Sequence, residues 1–335
     1  MLRPLVLQLA PTNACNLACR HCYRSAADRF PEEWGFEAQA RTVEAWAELA
    51  AAMGRPPVLV LTGGEPLISQ ELADLVHVAT RAGIGIRLNT NGLLASRERI
   101  ERLASRGLRH AQVSLESPLP EEHEAIRGRG TFVRTARGVA VMREAGMQVW
   151  IKVTVGALPM AALASWQELA HAWGVQGVAF ARVLPLGRWE GGSESLLPDS
   201  AWLEALAAAD DPRGLRMVWR DAPFDTRQGT LEGAPWRPEE GRDVLAVDAD
   251  GTWLVSRRMP VVLGKVGRMG PREAWGHPLM RDLRSWDPGE ACGGCPALPA
   301  CQGGSRAMTW ARTGDWRGRD PDCTRVALSE GLPRR

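Results

Sequence analysis

Six short apolar runs alternating with segments of helical spacing constrain this chain more than any other feature. Residues 5–10, 58–61, 84–89, 111–116, 149–155 and 177–183 read as strands. Between them apolar residues recur at three- and four-residue intervals, as in Ala40, Val43, Trp46, Leu49 and Ala50 of segment 37–53, which Gly54 stops. Segments 71–81, 97–105, 132–144 and 162–173 repeat the pattern. Strands and helices joined by short glycine-containing turns build a parallel sheet with right-handed crossovers, whose ligands gather at the carboxyl ends of the strands. Periodicity alone does not separate an open barrel from a doubly wound sheet.

With 335 residues the chain can bury a large core, and its formal charge of +2 gives no reason to expect a nucleic-acid or membrane partner. No apolar stretch has the length of a membrane span, and the N-terminus has no basic-then-apolar export signal, so a cytoplasmic protein is expected. Seven cysteines, an odd number without an export signal, argue for thiolate ligation over a disulfide framework.

Cys15, Cys19 and Cys22 fall within eight residues, directly after the first strand. Soft thiolates select zinc, copper(I) or iron–sulfur clusters, and three of them on a four-site centre leave one position open for chemistry. A zinc site completed by His21 is the alternative.

The spacing C-x3-C-x2-C, the wording CNLACRHCY, and Gly63-Gly64-Glu65-Pro66 after the next strand resemble the radical S-adenosylmethionine (SAM) superfamily. The resemblance covers most of the chain. It implies a partial (β/α)6 TIM-like barrel in which Cys15, Cys19 and Cys22 hold a [4Fe–4S] cluster whose fourth iron binds SAM. It also implies reductive cleavage of SAM to a 5′-deoxyadenosyl radical that takes a hydrogen atom from the substrate.

The resemblance assigns Gly63, Gly64 and Glu65 to the methionine amino group of SAM, and two residues without Cβ do let a backbone approach a ligand closely. Asn89, opening Asn89-Thr90-Asn91-Gly92, resembles the segment near the ribose. Ser114 and Arg127 match positions near the SAM carboxylate and ribose, and a guanidinium fork suits a carboxylate. Glu116-Ser117 and Glu124 depart from the family's usual Asp-Gly and Asp. Of 41 basic residues only Lys152 and Lys265 are lysines, and alternation puts Trp150, Lys152 and Thr154 on one strand face. If that face is the lumen, Lys152 needs an anion, either a substrate carboxylate or Glu116, and both residues become catalytic candidates. If it is the outer face, Lys152 snorkels beside a helix.

Cys292-Gly293-Gly294-Cys295, Cys301 and Cys323 form a second group, and four thiolates from one Gly- and Pro-rich segment can close a cage around zinc or a fully ligated iron–sulfur cluster. Chemistry alone favours zinc. The resemblance reverses that preference, because 292–323 is similar to the SPASM or shorter twitch extension of radical SAM maturases. Fuller SPASM domains carry a further cysteine where Ser305 stands and another after the Asp250-Gly251 hairpin, where 253–258 has none. One auxiliary cluster, a [4Fe–4S], is expected. The chain divides into a radical SAM partial barrel (1–190), a linker and helical segment (191–243) with a helix over 198–209 and a loop over 231–242, and a small α+β twitch/SPASM-like domain (244–335).

The implied activity is oxidative modification of a C–H position in a ribosomal precursor peptide. Modification of tetrapyrrole propionates, as in haem or haem d1 synthesis, is the alternative, and a non-catalytic iron–sulfur electron carrier is the alternative of another class. Because the first strand begins at residue 5, a separate protein would deliver a peptide. An external donor such as flavodoxin or ferredoxin would supply electrons.

Overall fold

The computed structural model describes residues 3–323 apart from 27–29, 31, 157–159, 191–204, 207–210, 212, 220–229, 232–233, 236–239 and 296–297. Seven strands alternate in chain order with helices: β1 (Leu5–Leu9), α1 (Phe36–Ala52), β2 (Pro57–Leu61), α2 (Leu72–Arg81), β3 (Gly85–Thr90), α3 (Arg97–Ser105), β4 (His110–Ser114), α4 (Pro120–Arg127), α5 (Thr131–Glu144), β5 (Gln148–Val155), α6 (Leu163–Trp173), β6 (Gly177–Arg182) and β7 (Arg216–Trp219). A two-residue hairpin, β8 (Thr230–Leu231) and β9 (Ala234–Pro235), follows, and then β10 (Val244–Val247), β11 (Thr252–Leu254) and β12 (Val262–Lys265).

Strands β1 to β7 lie parallel in chain order, and β10 adds to the free side of β1, also parallel. The hairpin β10–β11 forms as its Asp-Gly turn requires, but it continues the barrel sheet, which has ten strands in all. Strand β7 falls within the segment read from sequence as linker. The helix expected over 198–209 lies almost wholly outside the described residues.

One helical layer covers one face of the sheet, with α1 on α2, α2 on α3, α3 on α5 and α5 on α6. Leu5, Leu7, Leu9, Val149, Ile151, Val153, Val155, Val178 and Phe180 turn to that layer and join Trp46 and Trp166 in a single apolar core. Alternation sends Val6, Val58 and Val244 to the concave face, where they form a small apolar cluster at the amino ends of the strands. The bottom of the barrel is thus closed by hydrocarbon, and polar side chains occupy the upper layers. Among the described residues no helix is long and apolar enough to cross a membrane.

Candidate functional site

Three loops at the carboxyl ends of β1, β2 and β4 converge on Cys15, Cys19 and Cys22. The β2 loop is zipped to the cysteine loop by backbone hydrogen bonds, Gly64 N–H to the Thr12 carbonyl (3.0 Å) and Glu65 N–H to the Ala14 carbonyl (2.8 Å). A Cβ on Gly64 would stand 2.1 Å from the Ala14 oxygen and 2.4 Å from the Asn13 oxygen, so only glycine permits this approach. The Glu65 carboxylate, 1% exposed, accepts from Leu67 N–H (3.0 Å), the Thr90 hydroxyl (2.6 Å) and Asn91 N–H (2.8 Å). It therefore ties the β2 loop to the β3 loop, and Asn91 donates onward to the Asn16 side chain of the cysteine loop (2.8 Å). Asn89 stands half-buried on the lumen face of β3.

Glu116, just beyond β4, is the polar hub. Its Oε1 accepts from Arg127 Nε (2.8 Å) and Nη2 (2.5 Å) and lies 3.0 Å from His21 Nε2, while Oε2 accepts from Thr154 N–H (3.0 Å). Burial alone would raise its carboxyl, but the His21 and Arg127 charges outweigh that and hold it well below the ordinary range. Arg127 also donates to Cys19 Sγ at 3.7 Å. Glu116, Arg127 and the cysteine loop are one assembly, with His21 as the link that sits between two of the cysteines.

The loop is braced on its other sides by residues that sequence reasoning did not single out. Glu33 accepts from the Thr12 hydroxyl (2.9 Å) and Asn13 N–H (2.7 Å). Arg188 donates to the Cys19 carbonyl through its side chain (2.8 Å) and to the Cys22 carbonyl through its backbone (3.0 Å). Gly187 at φ +59° makes room, since a Cβ there would meet the Tyr23 and Cys22 carbonyl oxygens at 2.6 and 2.7 Å. Asp248, beyond β10, pairs with Arg24 and with Arg257 (2.5 Å). Two signals were available, the single glycine of Gly187-Arg188 after a strand and the acidic Asp248 at a strand end, but neither says which loop it will touch.

The thiols are free, and burial pushes Cys15 up to about 11 and raises Cys19 as well. Among the described residues no three His, Cys, Asp or Glu side chains converge closely enough to hold a single metal ion. The His21-completed zinc site is therefore not assembled, and His21 is engaged with Glu116 instead. Three soft donors that feel one another's charge yet do not meet at one point fit a multinuclear core, whose thiolates sit on separate irons.

Register places Ser114, Lys152 and Ala179 side by side in one layer of the lumen. The face of β5 bearing Val149, Ile151, Val153 and Val155 belongs to the helix-covered core, so Lys152 points to the lumen and the snorkelling alternative falls away. One layer lower, the Trp150 ring lies where a Gly177 Cβ would meet it at 2.6 Å, with the Arg216 guanidinium 6.0 Å from the ring centroid. Trp150 and Arg216 form a floor, and Lys152 stands above it beside the small side chain of Ala179.

At the far end, Cys292, Cys295, Cys301 and Cys323 lie in one knot of turns. Cys295 N–H donates to the Cys292 carbonyl (3.1 Å) and Cys323 N–H to the Asp320 carbonyl (3.0 Å). Arg182 from the end of β6 is fully buried and grips both Asp320 oxygens (2.8 and 2.7 Å) and Asp322 (2.8 Å), fastening the Cys323 turn to the barrel. Ser305, where a further ligand of a fuller domain would stand, instead caps Met308 N–H (3.2 Å), and Ser256, in the cysteine-free stretch after the hairpin, donates to Glu240 (3.2 Å).

Residues 9–172, which contain the cysteine loop and the β2, β3 and β4 loops packed on it, match the model of the Radical SAM superfamily. The chain belongs to that superfamily. It is 27% identical over 342 residues to the AdoMet-dependent heme synthase of Methanosarcina barkeri, covering 96% of each chain. It is 29% identical over 334 residues to the mycofactocin maturase MftC of Mycobacterium ulcerans, covering 96% of this chain and 88% of that one. Among solved structures, anSMEcpe with bound AdoMet and a Cp18Cys peptide shares the fold at a TM-score of 0.73, with 16% identity and 98% of each chain covered. As a radical SAM enzyme the chain uses a [4Fe–4S] cluster and SAM, which when bound supply a one-electron reductive cleavage and a hydrogen-atom acceptor. The protein's own part is to hold the cysteine loop at a fixed place above the lumen, with Glu116 and Arg127 beneath it.

Proposed function

We propose that this radical SAM enzyme oxidatively modifies a C–H position of a ribosomal precursor peptide, with Lys152 meeting a substrate carboxylate. The observation that carries this reading is the setting of Lys152, a lumen cation in the same layer as Ser114 and Ala179, above an aromatic floor. A cation in a concave, low-dielectric site draws an anionic group and fixes its orientation. Full-length similarity to mycofactocin maturases supports a peptide. The equal-length match to a heme synthase favours a second reading, in which the carboxylate is a tetrapyrrole propionate.

In this proposal Cys15, Cys19 and Cys22 hold the SAM-binding cluster, and Gly63, Gly64, Glu65, Asn89, Ser114 and Arg127 shape the SAM cradle. Glu116 works through its partners, as a positioning residue for Arg127 and His21. Cys292, Cys295, Cys301 and Cys323 hold one auxiliary [4Fe–4S] cluster that has no open iron and serves electron transfer. A cytoplasmic flavodoxin or ferredoxin is the electron donor, and a separate protein delivers the peptide.

Anaerobic incubation with SAM and dithionite tests the class: 5′-deoxyadenosine forms if the protein is an enzyme of this kind, and none forms with an electron carrier. Adding precursor peptides or propionate-bearing porphyrins then tests the substrate, since the right one couples SAM cleavage to product. Lys152→Met is expected to keep its iron and uncoupled SAM cleavage while substrate turnover falls about tenfold or more, as for loss of one charge-assisted contact. Unchanged turnover would refute the assignment of Lys152.

A further inference from the structure

Arg306, the first residue of the helix Arg306–Thr313, is 8% exposed, and its guanidinium is spent on backbone carbonyls. It donates to Trp316 (2.5 Å), Gly318 (2.8 Å) and Gly303, and lies 4.2 Å from the Trp286 ring centroid. No carboxylate among the described residues lies within ion-pair distance of it, in contrast to Arg182, which faces two. A buried cation without a contacting anion depends on the charges around it, here the Asp320 and Glu240 carboxylates at longer range. The other anion beside it is the four-cysteine cage: Gly303 is two residues past Cys301, and Gly318 leads into the turn that ends at Cys323. A Cβ on Gly303 would stand 2.9 Å from Pro288 and 3.3 Å from Arg306 Nη2, and the Pro288 carbonyl accepts from Cys292 N–H (2.9 Å). Arg306 thus sits inside the same knot as three of the four thiols. Burial lowers its pKa, and the Asp320 and Glu240 carboxylates, followed by the Cys292 and Cys301 charges, pull it back up.

We infer that Arg306 is the counter-charge of the auxiliary cluster and sets its reduction potential, raising it by stabilising the more negative, reduced state. The inference rests on reading the four C-terminal cysteines as an iron–sulfur cage. A four-thiolate cluster gains one further negative charge on reduction, and nearby cations and hydrogen bonds are known levers on its potential.

The test is a potentiometric titration of the reconstituted holoenzyme followed by electron paramagnetic resonance. The auxiliary signal is recognised by its indifference to added SAM. At the wild-type midpoint, Arg306→Gln is expected to shift the oxidised-to-reduced ratio about tenfold toward oxidised, a midpoint about 59 mV lower for a one-electron couple. Arg306→Lys, which keeps the charge and loses the fork, is expected to stay near wild type. Equal shifts in both variants, or no shift in Arg306→Gln, would overturn the inference while leaving the cage reading intact. So would an Arg306→Gln protein that cannot hold its second cluster, since Arg306 would then be a brace only. Wild-type protein with iron for one cluster and a zinc would instead overturn the cage reading, and the inference with it.

Discussion

Replacing Glu116 by Gln preserves the shape of the hub and removes its charge. The Glu116 and Arg127 side chains are 1% and 10% exposed, and Glu116 Oε1 is shared by two Arg127 nitrogens and His21 Nε2. Removing one partner of a buried ion pair costs about 3–5 kcal/mol, because the other charge stays behind without compensation. Arg127 keeps a little solvent, so the low end, about 3 kcal/mol, is expected. The measurement is urea unfolding of the metal-free protein, which avoids the extra equilibria of bound clusters. The midpoint should fall and the slope should stay the same. Glu116→Asp keeps the charge but is one methylene shorter, so it cannot reach both Arg127 and Thr154 N–H and should lose about 1 kcal/mol. A cycle with Arg127→Met should show a coupling above about 2 kcal/mol. Because the folded carboxyl is held below its ordinary value, this stabilisation is in place above about pH 4.3 and fades as pH falls below that. A loss under about 1 kcal/mol in Glu116→Gln, or strict additivity in the cycle, would refute the hub.

Gly64→Ala should push the β2 loop off the cysteine loop, at an overpacking cost of about 1–3 kcal/mol; iron analysis should show the SAM-site cluster lost and the auxiliary one kept, and full iron content would count against it. Arg182→Met should leave Asp320 and Asp322 buried without their cation, costing about 3–5 kcal/mol locally. Limited proteolysis should then cut the Cys323 turn faster than in wild type while the barrel resists, and an unchanged cleavage pattern would argue that the clasp is unimportant.

Much of the site could be read along the chain because its chemistry is local. Three cysteines at fixed spacing must share one loop, two glycines before Glu65 must make a close turn, and a run such as Val149–Val155 must present alternate residues to opposite faces. What alternation could not say was which face was covered. Lys152 became a lumen residue only when α5 and α6 packed on Val149, Ile151 and Val153. In sequence Glu116 was legible only as a candidate anion for Lys152, whereas the fold wraps it in Arg127, His21 and Thr154. The β10–β11 hairpin was visible from its Asp-Gly turn, but its place beside β1 depends on a pairing across more than two hundred residues, where no local rule applies.

The sequence by itself determined the grouping of the cysteines, the parallel sheet and the end of the barrel at which the loops meet, since each follows from spacing, period or strand direction within a few residues. Only the tertiary structure decided what surrounds those cysteines. The braces from Arg188 and from Asp248 to Arg24, and the Arg182 clasp, join residues far apart in the chain. A buried charge finds its partner through the packing of the whole molecule, and that packing is not written in any one stretch of it.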